Sequence, residues 1–199
     1  MASKYKAQQL STAPEGYPIA IERRYAMYLR GVATRIHRET IRSLASYQRS
    51  SIVRLDEEVA DGAVSVVQQL QIDHATVTAK QVADLTKIAT QIDRHAVRYV
   101  RQAVGQQVSG TVPTVHAFGG LTESTTSAWI GENAKLITSI QQQYLSDVSG
   151  LIADAQIQGA HVSSLAEAIH DRYLVTKSRA NLIARTETAK LNSAISAEK

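Results

Sequence analysis

Apolar residues recur along this chain in steps of three and four. Ile21, Tyr25, Tyr28, Val32 and Ile36 follow one another at that spacing, and Leu44 and Tyr47 continue it. This is the period of a helix with one buried face. The pattern predicts a long helix from residue 19 that either breaks near "QRSS" at 48–51 or runs on to Gly62. Ahead of it, "STAPEGYP" holds Pro14, Gly16 and Pro18, so residues 1–18 read as an irregular arm. The stretch "AVSVVQQLQI" reads as a short helix, with its paired valines leaving a strand open. The clearest pattern comes next. Thr78 and Gln81 have the spacing of a capping box. Val82, Leu85, Ala89, Ile92, Ala96, Tyr99 and Ala103 then form a narrow, coiled-coil-like seam. Gly105 is the expected stop.

Residues 105–127, "GQQVSGTVPTVHAFGGLTESTTS", lose the helical period and are rich in Gly, Ser and Thr. A loop of this length inside one compact domain is uncommon. It therefore reads as a linker, with a short hairpin expected around "TVPTVHAF". A further helix is expected from about Ser127 to Gln158, with Ile130, Ile137, Ile140, Tyr144, Val148, Leu151 and Ala155 on one face and Gly159 as its end. Ser164 and Glu167 then suggest a second capping box before a short helix, "LAEAIHDRY". A turn at "LVTK" leads to the last helix, with Thr176 as its N-cap. The predicted fold is all-α and elongated. It comprises an arm (1–18), an N-terminal helical module (19–104), a linker (105–127) and a C-terminal helical module (128–199).

Composition supports this reading. Aromatics are 5% of the 199 residues and prolines number three, a mix that favours long helices. No apolar run approaches a membrane span, and the N-terminus lacks the apolar core of a secretory signal. With no cysteine, disulfides and thiolate metal sites are excluded, which fits synthesis in a reducing cytoplasm. The charge is uneven. Residues 1–54 carry ten Lys/Arg against three acidic residues, a balance of +7, whereas residues 55–199 carry twelve against fifteen, a balance of −3. A basic front end suggests an anionic partner there.

No catalytic constellation declares itself. His37, His74, His95, His116, His161 and His170 are scattered, none at the H-E-x-x-H spacing. No metal and no cofactor are expected. "TESTTS" at 122–127 resembles the Ser-Thr-Ser strand of Arg–Ser–Glu ADP-ribosyltransferases, but the chain has no Glu-x-Glu and is not sheet-rich, so that reading is rejected. Arg35, Arg38, Arg42 and Arg49 share one stripe of the first long helix, with Glu39 placed to pair with two of them. Such a stripe tracks nucleic-acid phosphates, meets an acidic protein partner or is a solvated face. No aromatic interleaves with it for base stacking. A smaller stripe, Arg94, Arg98 and Arg101, reads as solvated.

The last helix poses a separate problem. Ala180, Ala184, Leu191 and Ala194 form its packing seam, and Glu187 falls on that seam. A buried carboxylate without a partner is costly. An arginine is expected to pair with it, Arg172, Arg179 or Arg185, as a structural ion pair that fixes helix register. No second acid, histidine or nucleophile argues for a reagent, and the chain is read as a non-enzyme.

The residues from Trp129 to Asn192 resemble the phage Mu F-like head morphogenesis family, also called minor head or minor capsid proteins. "AWIGENAKLITSIQQQYLSDVSGLIADAQIQG" is similar to the family's Trp/Asn-led helix. "SSLAEAIHDRYLVTKSRANLIARTETAKLNSA" resembles its most recognisable block, with Leu165, Ile169, Arg172, Arg179, Ala180, Ile183, Ala184, Arg185, Thr186, Glu187 and Asn192 in the family's pattern. The pattern in that family continues into a smaller mixed region that does not occur before Lys199, which leaves a fragment and a natural short form both open. The resemblance implies structural work in the capsid interior at the portal vertex, following assembly in the host bacterial cytoplasm. It implies the portal protein as partner, with major capsid or scaffolding protein and double-stranded DNA as further partners. It also implies a homo-oligomer around the portal, and no membrane.

Overall fold

A computed structural model of the chain describes residues 16–51, 58–107, 123–158 and 162–197. It is all-α, with five helices and no strand among the described residues: α1 (Ile19–Ser51), α2 (Glu58–Asp73), α3 (Ala79–Gln107), α4 (Glu123–Gln158) and α5 (Val162–Ala197). The arm up to residue 15, the hairpin expected around 111–118, and His116 and His161 lie outside the described residues.

Local chemistry sets where the helices begin. The Pro18 carbonyl accepts from the amides of Ile21 and Glu22 at 2.9 and 3.0 Å, and Glu22 places a negative charge at the positive end of the α1 dipole. Just before it, Gly16 has φ +80° and passes so close to Tyr99 that a Cβ would sit 2.6 Å from the ring. The Gly16 carbonyl also meets His95 Nε2 at 3.0 Å, which fastens the entry of α1 to α3. The capping box of α3 forms as its spacing predicts. The Thr78 amide donates to Gln81 Oε1 at 2.7 Å, and the Gln81 amide donates to Thr78 Oγ1 at 3.2 Å.

Two apolar clusters explain the arrangement. One joins Tyr25, Leu29, Val32 and Ala33 of α1 to Leu85, Ile88, Ala89 and Ile92 of α3, to Trp129, Ile137 and Ile140 of α4, and to Ala180, Ala184 and Leu191 of α5. The other joins Ile36 of α1, Val67 of α2, Tyr144, Leu145, Val148 and Ile152 of α4, and Ile169 of α5. Helices α1, α4 and α5 therefore run through both clusters, with α3 packed at one end and α2 at the other. The order of residues in the clusters shows α1 and α4 parallel and α5 opposed to both. At 36 residues each, α4 and α5 are about 54 Å long at the usual rise. Helices on both sides of the Gly/Ser/Thr-rich segment contribute to both clusters.

The "AVSVVQQLQI" stretch is helical, as expected, within α2. Several other expected boundaries are corrected. α3 passes through Gly105 to Gln107 and α4 starts at Glu123, so both ends of the expected 105–127 linker are helix. One mid-helix or end glycine costs only about 1 kcal/mol, which neighbouring helix formers offset. α5 is continuous where a short helix, a turn and an N-cap at Thr176 were expected. Thr176 is buried mid-helix, and its hydroxyl donates to the Arg172 carbonyl at 2.8 Å. Ser178 does the same to Leu174 at 3.2 Å. Such i−4 bonds absorb the polar side chains that would otherwise compete with the helix.

Candidate functional site

The seam of α5 behaves as its spacing predicts. Ala180, Ala184, Glu187 and Leu191 are all buried, Glu187 at 3% exposure. It meets α4 where Trp129 and Asn133 turn inward, and α1 where Tyr25 does. The Asn133 amide donates to the Trp129 carbonyl at 2.8 Å and to Glu187 Oε2 at 3.4 Å. The Tyr25 hydroxyl donates to Asn133 Oδ1. The Trp129 indole donates to the Glu187 carbonyl at 3.3 Å, and its ring lies 5.7 Å from that of Tyr25. Four polar side chains from three helices thus share one closed set of hydrogen bonds.

The partner of Glu187 is a lysine, not one of the expected arginines. Lys190 Nζ lies 2.7 Å from Glu187 Oε1, one turn along the same helix. Its ammonium is largely in water, and the hydrogen bond to Glu187 raises its pKa. Of the arginines, Arg172 and Arg185 are exposed. Arg179 donates to Ser139 Oγ on α4 at 2.8 Å, and the Arg185 carbonyl accepts from the Tyr17 hydroxyl at 3.2 Å. The reason is geometric. Residues three apart share a helix face, whereas Arg172 and Arg179 lie about four and two turns back along α5 from Glu187 and Arg185 projects from the opposite side. Burial, then the negative charge of Glu187, pushes the Tyr25 phenol far above its usual pKa. Tyr25 therefore stays protonated and acts as a fixed donor. This set of groups orients helices; it offers no exposed nucleophile or base.

On the outer face of α1, Arg35, Arg38 and Arg42 are exposed. They line a shallow groove with Gly31, Thr34 and Glu39. Glu39 does not pair with them. It turns instead to His74, the residue just after α2, with Oε2 2.7 Å from His74 Nε2. The other ring nitrogen of His74 meets the Gln141 amide of α4 at 2.9 Å. None of the three arginines has an ion-pair partner among the described residues. The side chain of Arg49 lies outside them. In the smaller stripe, Arg94 and Arg98 are exposed and Arg101 is half-buried.

Sequence reasoning missed a further cluster. His37 Nδ1 lies 2.8 Å from the Tyr144 hydroxyl, and its ring stacks on Tyr173 with centroids 4.3 Å apart. The His170 ring meets it edge-on. Burial, then the neighbouring His170 and Arg38, holds His37 below the usual histidine pKa. The signal was present: Tyr144 is a large polar-tipped side chain on an apolar seam, and a buried phenol needs a partner. Among the described residues no group of three or more His, Cys, Asp or Glu is placed to hold a metal ion. No helix among them is long and apolar enough to cross a membrane.

Comparison with known proteins adds little to this geometry. No protein-family profile matches the chain, and no solved structure matches it. An uncharacterised protein of Haemophilus influenzae (strain ATCC 51907 / DSM 11121 / KW20 / Rd) is 37% identical over 75 residues, which is 38% of this chain and 17% of that relative. The match therefore spans under a fifth of the relative's length.

Proposed function

We propose that this chain is a structural minor head protein of a tailed bacteriophage, associated with the portal vertex inside the capsid during assembly. The observation that supports this reading is the meeting of Trp129, Asn133 and Glu187 in one buried set of hydrogen bonds. These are residues on which the resemblance to Mu F-like head morphogenesis proteins rests. Each is spent on joining α4 to α5, and through Tyr25 to α1, rather than presented to a substrate. Polar side chains turned inward in this way serve architecture. The surface left outside is basic on α1, and a portal assembly, major capsid or scaffolding protein with acidic helices is the fitting partner. The test is co-expression with the portal subunit encoded in the same genome, followed by affinity capture of the tagged chain at moderate salt. Co-elution with the portal ring is the expected result; capture of the chain alone counts against the reading.

A second reading has its own observation. Among the described residues Arg35, Arg38 and Arg42 have no ion-pair partner, Glu39 being held by His74, which leaves three guanidiniums for phosphates. In this reading the chain contacts double-stranded DNA inside the head or accompanies its ejection. Binding would then weaken steeply as salt rises. Absence of binding at low salt would end it.

A further inference from the structure

Helix α5 is apolar on two sides, and only one is covered. Its inner side carries Ile169, Ala180, Ala184 and Leu191 into the clusters described above. On its outer side Ala168, Val175, Leu182 and Ala189 recur every seven residues. Seven residues fall only about 20° short of two helical turns, so these four share one stripe. Val175 is 59% exposed and Leu182 65%, with Leu174 beside them at 46%. Three of the large exposed apolar side chains of the molecule thus lie within nine residues of one helix. An amphipathic surface helix keeps its outer stripe polar; a seven-residue apolar repeat is the spacing by which one helix seats on another.

We infer that this outer face of α5 pairs with the same face of a second copy of the chain, antiparallel, about a two-fold axis near Ser178. Charge chooses both the occupant and the direction. Of the exposed charged residues flanking the stripe, Glu167 and Asp171 precede Val175, with Arg172 beside them, and Arg185 and Lys190 follow Leu182. A parallel pair sets acid beside acid and base beside base. An antiparallel pair sets Asp171 of one copy beside Arg185 of the other, with Val175 against Leu182, Ala168 against Ala189 and Ser164 against Ser193. Reversal sets Glu167 opposite Lys190 and Asp171 near Arg185, against one like-charge approach of Arg172 to Arg185, a balance that favours an isologous two-fold contact over the parallel pair. Rim charges of this kind decide orientation more than affinity.

The contact is modest. A stripe from Ser164 to Ser193 is roughly 45 Å long and about 10 Å wide, one helix diameter. Its footprint is smaller than the ~800 Å² per partner of a standard stable interface. The pair is therefore a reversible, concentration-dependent dimer. This inference does not rest on the head-protein reading, since it uses only the composition and exposure of α5.

Sedimentation equilibrium of the full chain over a ~100-fold concentration range tests it. The average mass is expected to rise from one chain toward two. Leu182→Asp is expected to keep the chain monomeric throughout with unchanged helicity and melting temperature, because this side chain touches no core. Native cysteines are absent, so single-cysteine variants report register without background. Ser178→Cys is expected to form a disulfide-linked dimer under mild oxidation. Ser164→Cys alone is not, whereas Ser164→Cys combined with Ser193→Cys is. A wild-type chain that stays monomeric at every concentration overturns the inference, as does a Leu182→Asp dimer. Equal cross-linking through Ser164→Cys alone overturns the antiparallel register.

Discussion

Replacing Asn133 with alanine probes the buried set of hydrogen bonds most sharply, because this one amide serves three groups. The fully buried Tyr25 hydroxyl would lose its acceptor. An orphaned buried hydroxyl costs about 1–3 kcal/mol. Glu187, 3% exposed, would lose a donor at 3.4 Å. A hydrogen bond to a charged group is worth about 1.5–3 kcal/mol, and the length of this one places it at the weak end. Together with the small void left by the amide, the expected loss is about 3–4 kcal/mol. For a chain of this size each kcal/mol lowers Tm by roughly 2–4 °C, so a fall of ~6–16 °C is expected. The assay is guanidinium and thermal unfolding followed by far-UV circular dichroism, with a constant denaturant slope confirming that stability alone has changed. A double-mutant cycle completes it. Once Tyr25→Phe has removed the hydroxyl, Asn133→Ala no longer orphans it, so the two effects should fall short of additivity by ~1–2 kcal/mol. Asn181→Ala, on the exposed side of α5, is the control and should lie within about 0.5 kcal/mol of wild type. An Asn133→Ala protein as stable as that control, or an additive cycle, would refute the reasoning.

Four further outcomes follow from particular positions. Gly31 lies in α1 with nothing within 4 Å of an added Cβ, so Gly31→Ala should gain about 1 kcal/mol of helix stability and raise Tm by a few degrees. Gly16→Ala should do the reverse, because it combines φ +80° with a Cβ 2.6 Å from the Tyr99 ring; a neutral result in thermal melts would contradict the close approach. His37 is held below its unfolded pKa of 6.5, so the unfolded chain binds the extra proton first. Its contribution to stability is therefore present above pH 6.5 and declines as pH falls below that value toward its lower folded pKa. His37→Gln should flatten this slope above the carboxylate range in urea unfolding measured from pH 7 to 5. Finally, reversing Arg35, Arg38 and Arg42 to glutamate should leave the fold intact, since all three are exposed. If DNA is bound at all, it should also abolish that binding and its dependence on salt, as read by fluorescence anisotropy.

Much of the fold was legible because helical period and capping are local signals. The α3 seam from Leu85 to Ala96 is buried as its spacing requires, and its capping box forms with both bonds in place. The continuity of α5 was not legible, since "LVTK" contains β-branched residues with low helix propensity. What decides it is the inward packing of Thr176 and the return of its hydroxyl to Arg172, which only tertiary context reveals. Glu187 was found by its place on an apolar seam. The same signature marks Asn133, three after Ile130 and four before Ile137, and would have found it too. Lys190 could have been named from its three-residue spacing to Glu187. The Glu39–His74 pair joins residues 35 apart in the chain; no local pattern encodes such a contact.

The portal-vertex reading is tested most directly by the mass of the portal ring itself. The chain would be co-expressed with the portal subunit encoded in the same genome, and the isolated rings weighed by native mass spectrometry at moderate salt. The account predicts rings heavier than the bare portal by a whole number of chains, and the same increments when Arg35, Arg38 and Arg42 are retained but DNA is digested away. Bare rings alongside free chain would contradict it, and an increment that disappears with nuclease would transfer the assignment to the DNA-contacting reading.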